Sequence, residues 1–239
     1  MHALIFAAGR GERMRPLTET TPKPLLPAGG KPLIVWHLEK LAAIGIRDVV
    51  INTAHLGAQF PPALGDGSRW GLRLHYAYEG SEPLETGGGM LNALPLLGAE
   101  PFIAVNGDIY CDYDLAQLPV QPDGLAHLVL VDNPEHHPQG DFVLAGDHRV
   151  HADGAPRLTF AGIGVYRPEM LDDWRTVVGN APGADAQPPR FKLAPLLRAA
   201  MTRNAVTGVH HRGHWTDVGT VARLQALDAQ LHGHERGAH

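Results

Sequence analysis

A single cysteine, Cys111, among 239 residues leaves no intrachain disulfide and no cysteine-based zinc cluster, which fits a reducing compartment. No apolar run approaches the roughly 20 residues that span a bilayer as a helix. The amino terminus shows no cationic stretch leading into a long apolar one. Excess positive charge is missing too: 20 Lys and Arg stand against 25 Asp and Glu, a formal net charge of −5. That excludes a general nucleic-acid binder and requires any basic patch to be local. Two stock phosphate motifs are also absent. Gly9-Arg10-Gly11-Glu12-Arg13 continues with Met14 where G-x-G-x-x-G needs glycine, and G-x-x-x-x-G-K-[ST] does not occur. Neither a dinucleotide fingerprint nor a P-loop is supported. The expectation is a cytoplasmic protein with no nucleic acid and no membrane among its partners, self-association being left open.

What is present is ordinary globular material, 44% hydrophobic and 19% charged, in a chain long enough to bury a full core. Short apolar runs predict strands at Ala3–Ala7, Asp48–Asn52, Leu72–Tyr78, Phe102–Asn106 and Ala126–Val131. Helices are expected at Leu33–Ile44, where Leu33, Trp36, Leu38, Leu41 and Ile44 form a stripe stopped by Gly45, and at Gln59–Leu64 and Met90–Leu97. Such alternation predicts an α/β fold: a Rossmann-like, mixed but mostly parallel sheet flanked by helices, with ligands at the strands' carboxyl ends. From Asp132 the pattern shifts to turns and short, partly antiparallel strands. FKLAPLLRAAM then restarts a helix, AVTGVHHRGHWTDVG contains a late strand, and TVARLQALDAQL closes as a helix. We expect one domain over 1–239: a nucleotide-binding half (1–131), a half completing the site (132–225) and a tail (226–239) ending in a frayed HGHERGAH.

The loop Ala8–Lys31 is the first place for chemistry. It carries Arg10, Arg13, Arg15, Lys23 and Lys31, opposed by Glu12 and Glu19. Gly9 and Gly11 let backbone N–H groups approach an anion closely, and the prolines stiffen the remainder. Arginine forks and a lysine point charge suit a polyphosphate, against the alternative of a solvated charged loop. The strand Phe102–Asn106 runs into Gly107-Asp108, where a carboxylate serves either a hard cation such as Mg²⁺ or an Asx turn. Asp112 and Asp114 read as caps of the next element. Asp217 reads alone as a helix cap and gains weight as a second carboxylate for the same metal. In YEGSEPLETGGGMLNAL three glycines open a helix, either exposing N–H groups to a polar ligand or making a flexible turn. The fifteen histidines are scattered. Neither His136-His137 nor His210-His211 has i, i+4 spacing, so they read as surface and core residues, not metal ligands.

Together these segments resemble the sugar-1-phosphate nucleotidylyltransferases. The likeness rests on AAGRGERMRPLTETTPKPLLP, VNGDIY and WTDVGT, in that order along the chain. EPLETGGG, GLAHLVLVDNP, QGDF, LTFAGIGV and FKLAPLLR are most similar to the members that act as uridylyltransferases on N-acetylmuramate 1-phosphate in bacterial cell-wall recycling. The resemblance implies UTP and a sugar 1-phosphate as substrates and Mg²⁺ as the metal. It implies that Ala8, Gly9, Gly11 and Glu12 hold the nucleotide, with Arg13 and Lys23 acting catalytically on the phosphates. Glu79, Glu85, Thr86 and Gly87 fall in the base-reading segment, Glu79 standing where several relatives have glutamine. Asn106 then touches nucleotide or sugar, Asp108 and Asp217 ligate the metal, and Asp141, Gly162 and Lys192 line the sugar-phosphate pocket. Sister activities are the nearer alternatives: a mannose-1-phosphate guanylyltransferase or a glucose-1-phosphate uridylyl- or thymidylyltransferase. A non-catalytic nucleotide-sugar sensor is the farther one.

Overall fold

Strand and helix alternate as unbroken apolar runs give way to apolar residues recurring about every 3.6 positions. In the computed structural model, which describes residues 1–236, β1 (Ala3–Phe6) leads through the charged loop to α1 (Leu33–Ala43) and β2 (Asp48–Thr53). β3 (Arg73–Tyr78), α2 (Glu85–Leu97), β4 (Phe102–Asn106), β5 (Ile109–Cys111) and β6 (Ala126–Val131) follow. The second half supplies β7 (Thr159–Tyr166), α3 (Ala194–Met201), β8 (Val206–His211), β9 (Trp215–Asp217) and α4 (Val221–Arg236). A seven-stranded sheet has the order β8-β6-β7-β4-β1-β2-β3. β7 is antiparallel to both neighbours and every other pairing is parallel.

Parallel neighbours need crossovers, and the crossovers cover both faces of the sheet. Alternate residues therefore enter different cores. Ile5, Val49, Ile51 and Val105 pack under Ile34, Leu38 and Leu41 of α1. Leu4, Val50, Ala104 and Leu128 pack under Met90 and Ala93 of α2 and Leu196 and Leu197 of α3. Each fully buried aliphatic side chain contributes roughly 1.5–3 kcal/mol. α1 buries a second stripe as well, because Leu33 and Trp36 meet Leu224, Leu227 and Leu231 of α4. Gly45, at φ 84°, stops α1 as predicted.

The chain leaves β1 toward β2 and returns past it to β4, so strand order reverses between β1 and β4. That reversal opens a crevice at their carboxyl ends, where α/β sheets bind ligands.

Three expectations change. The first loop is not bare: it holds a one-turn helix, Leu17–Thr20, between short turns at Glu12–Met14 and Lys23–Leu25. α2 begins at Glu85, before the predicted Met90, so Gly87, Gly88 and Gly89 fall within it, the N–H groups of Gly87 and Gly88 being taken by the Phe191 carbonyl at 2.9 and 3.0 Å. They are small because other chain comes close: a Cβ on Gly87 would sit 2.5 Å from the Phe191 ring, and one on Gly89 2.7 Å from Asn52 Nδ2. The closing helix runs to Arg236, past the predicted end at Leu231, since Gly233 alone does not break it. The last three residues of HGHERGAH lie outside the described residues.

Candidate active site

The groove at the β1–β4 reversal has a volume of about 350 Å³. Ala8, Gly9, Gly11 and Lys23 line it from the first loop, and Glu79, Glu85, Thr86 and Asn106 line it from the other side. Two bonds fix the loop's departure from β1: Ala7 N–H donates to Asn52 Oδ1 at 2.6 Å, and Gly107 N–H donates to the Phe6 carbonyl at 2.8 Å. Gly11 sits at φ 64°, and a Cβ there would lie 2.8 Å from Thr18 Cγ2. The turn therefore requires glycine, and Thr18 Oγ1 donates to its carbonyl at 2.9 Å. Arg10 reaches Glu82 across the groove mouth. Glu12 and Arg13 line an adjoining lobe of about 480 Å³ that shares Lys23 and Asp108 with the first.

Asp108 lies between β4 and β5, and the pairing of β5 with β9 brings Asp217 to it. That antiparallel ladder sets Asp217 opposite Ile109, and Val218 N–H donates to the Asp108 carbonyl at 2.8 Å. Asp108 Oδ2 accepts from Lys23 Nζ at 2.6 Å, an ion pair that holds its carboxylate at the groove. Asp217 Oδ1 lies 2.8 Å from Arg223 Nη1 and 2.8 Å from His136 Nε2. Arg13 is close as well: a Cβ on Gly219 would lie 2.9 Å from Asp217 Oδ2 and 3.1 Å from Arg13 Nη2. Arg223 Nε is buried with no partner among the described residues. Two carboxylates set among cationic side chains, with Arg223 Nε still unpartnered, suit a hard divalent ion carrying phosphate oxygens, so the donor set fits Mg²⁺. Asp114 caps its turn as expected, accepting from Ala116 N–H at 3.0 Å. Asp112 does not cap, and its Oδ1 lies 2.6 Å from His211 Nε2.

The far wall is built around a buried carboxylate. Glu79, 5% exposed, accepts from Asn52 Nδ2 at 2.6 Å and from Leu84 N–H at 2.7 Å. Burial pushes its pKa up, and those two bonds oppose the shift. Glu85 holds a left-handed φ of 63° at the groove edge, an uncommon conformation outside glycine. Thr86 Oγ1 accepts from Leu193 N–H at 3.0 Å. Gly87 is not presented to the groove, because its N–H donates to the Phe191 carbonyl at 2.9 Å. Asn52 was not foreseen as a site residue, although a polar residue ending an apolar parallel strand marks such a position.

A third lobe of about 200 Å³ continues past Phe6, Thr86 and Asn106. Asp141 and Gly162 line it. Gly162, at φ 78°, brings its backbone against Asn106, whose Nδ2 would be 2.7 Å from a Cβ. Asp141 Oδ1 lies 3.1 Å from His137 Nε2, and Oδ2 accepts from Phe160 N–H at 2.8 Å. Lys192 is not brought to this lobe. Phe191 and Leu193 on either side of it are buried, and Lys192 points outward, exposed. The lobe's cation is Arg198, one turn along α3 from Ala194 on the same helix face. Away from the groove, Cys111, Asp112 and His211 bring ligand atoms within 4.8 Å of one another. Burial pushes the Cys111 thiol up to about 11, which keeps it a neutral, poor metal ligand.

The nucleotidyl transferase family model matches residues 2–233. The chain is 50% identical over 236 residues to the N-acetylmuramate alpha-1-phosphate uridylyltransferase of Neisseria meningitidis serogroup B, covering 96% of this chain and 97% of that one. It is 31% identical over 250 residues to the protein of the same name from Caulobacter vibrioides, with 96% of each covered. A mannose-1-phosphate guanylyltransferase of Mycobacterium tuberculosis is 41% identical over 116 residues, 48% of this chain and 32% of that one. Among solved structures, a Bacillus anthracis protein described as a glucose-1-phosphate thymidylyltransferase, in complex with sucrose, aligns with a TM-score of 0.79. That alignment covers 97% of this chain and 95% of that one at 23% identity, and it shows the shared fold.

Proposed function

The chain belongs to the nucleotidyl transferase family, and on that premise we propose that it joins UTP to N-acetylmuramate 1-phosphate, forming UDP-N-acetylmuramate and pyrophosphate in cytoplasmic cell-wall recycling. The observation that carries this reading is one continuous groove with three lobes at the sheet's reversal point. Lys23 and Asp108 line both lobes nearest the loop, and Phe6, Thr86 and Asn106 line both the first lobe and the third. A triphosphate lies along the cationic loop, the sugar body fills the third lobe, and the sugar's 1-phosphate meets the triphosphate near Asn106 and Asp108. Uracil faces Glu79, whose oxygens each keep a lone pair for the base N3–H. Among the described residues no helix is long and apolar enough to cross a membrane.

In the reaction a phosphate oxygen of the sugar 1-phosphate attacks the α-phosphorus of UTP in line. A new P–O bond forms, the bond to the β-phosphate oxygen breaks, and pyrophosphate leaves with the electron pair. The attacking oxygen is already anionic near pH 7, so no general base is required. The chain's task is alignment and charge neutralisation. Lys23 and Arg13 supply fixed positive charge to the phosphates, and Asn106 orients the sugar phosphate. Asp108 and Asp217 would hold Mg²⁺, which when bound neutralises phosphate charge.

The test is pyrophosphate release from UTP, GTP, dTTP and ATP, each paired with the 1-phosphates of N-acetylmuramate, N-acetylglucosamine, glucose and mannose. UTP with N-acetylmuramate 1-phosphate is expected to dominate. Dominance of GTP with mannose 1-phosphate, or of dTTP with glucose 1-phosphate, would overturn the substrate assignment. Ligand binding with no pyrophosphate release from any pair would leave a sensor.

A further inference from the structure

We propose that Arg198 reads the lactyl carboxylate of the muramate sugar and so separates it from N-acetylglucosamine, which lacks that group; this rests on the muramate reading above. The third lobe has largely apolar walls, Phe142, Phe160 and Leu197 among them, and Arg198 is the one cation among its described lining residues. Its guanidinium has no hydrogen bond or ion pair to any described residue and lies 5.6 Å from the Phe142 ring centroid. The other charged group there, Asp141, is engaged through both oxygens, with His137 and with Phe160 N–H. Arg198 is itself exposed, so the lobe presents an unpaired positive charge at its open rim to whatever fills it.

The anion it awaits is not the sugar's phosphate. Lys23 and Asp108 line the two lobes on the loop side and not this one, whereas Arg198 lines this one and neither of those. A ligand that reaches both ends needs a phosphate at one end and a second anion on the sugar body. N-acetylmuramate 1-phosphate has that pattern, with phosphate at C1 and a carboxylate on the ether at C3. A guanidinium fork pairs with a carboxylate through two parallel N–H···O bonds, and Phe142 beneath it orients the plane.

The experiment measures Kd values of UDP-N-acetylmuramate and UDP-N-acetylglucosamine by calorimetry, on the full chain with Mg²⁺. The two ligands differ in the lactyl group alone. Arg198→Ala is expected to weaken the muramate ligand about 10–100-fold, the loss of one charge-assisted contact, and to leave the glucosamine ligand within about twofold. Arg198→Met, which keeps the apolar stem, should show the same split, and Arg198→Lys should fall between it and wild type. Equal weakening of both ligands would make Arg198 structural, and an unchanged muramate Kd would remove it from recognition. Both outcomes overturn the proposal while leaving uridylyl transfer untouched. Failure of the wild-type chain to use UTP with N-acetylmuramate 1-phosphate overturns the proposed function instead.

Discussion

Replacing Asp108 by asparagine keeps the side chain's shape and removes its charge, which separates its contribution to the fold from its contribution to the reaction. Asp108 Oδ2 accepts from Lys23 Nζ at 2.6 Å. A sheltered hydrogen bond to a charged group contributes about 1.5–3 kcal/mol. Here the shelter is one-sided, since the Lys23 side chain is 10% exposed and that of Asp108 42%. Solvent screening brings the contribution down to ~1 kcal/mol, and the asparagine carbonyl still accepts from Lys23. In a chain of this length ~1 kcal/mol lowers Tm by about 2–4 °C. The chemical loss lies on another scale. Removing one of two carboxylates proposed to hold the metal should cut kcat about 10³-fold, a barrier rise of ~4 kcal/mol. Near-UV circular dichroism on heating gives the first quantity, and pyrophosphate release from UTP and N-acetylmuramate 1-phosphate gives the second. Raising Mg²⁺ should rescue the variant little. Turnover within about tenfold of wild type would refute the metal assignment. A Tm lowered by more than about 10 °C would show instead that Asp108 is chiefly structural.

Two further substitutions test the fold and the third lobe. His37 is buried on α1, its Nε2–H donating to the Ile109 carbonyl at 2.9 Å, and burial pulls its pKa down from 6.5 to about 4. The folded pKa lies below the unfolded one, so this stability is present near pH 7 and is lost as pH falls from 6.5 toward 4. Urea unfolding of wild type should lose ~2 kcal/mol more between pH 7 and pH 5 than His37→Gln, which keeps a donor to Ile109; equal losses would contradict the assignment. Gly162→Ala should cost ~1–2 kcal/mol for its left-handed backbone and push Asn106 aside. We expect the KM for the sugar 1-phosphate to rise about tenfold, and an unchanged KM would separate Asn106 from sugar binding.

The local text of the chain made several elements legible. Ala3–Ala7 and Phe102–Asn106 read as strands because their residues are apolar throughout, the second ending in the polar Asn106. Gly45 read as a stop because only glycine takes its φ without strain. The loop from Ala8 to Lys31 suited a polyphosphate through its glycines and cations, and Gly9, Arg10, Gly11, Arg13 and Lys23 of it line the groove and its adjoining lobe. Lys192 lies exposed outside the third lobe's lining, because the packing of Phe191 and Leu193 decides which way the chain turns there. The triple glycine was misread for a related reason: its neighbours in space are Phe191, Asn52 and Glu79, all distant along the chain.

By itself, then, the sequence determined what depends on contiguous residues: the strand and helix periods, the turns that require glycine, and the charge of the first loop. Tertiary structure alone decided the strand order with antiparallel β7 inserted, the β5–β9 pairing that brings Asp217 beside Asp108, and the α3 face that turns Arg198 toward the third lobe. Each of these joins segments far apart in the chain. Their pairing is set by the summed burial of two cores and the closure of long loops, quantities that no short stretch of residues contains.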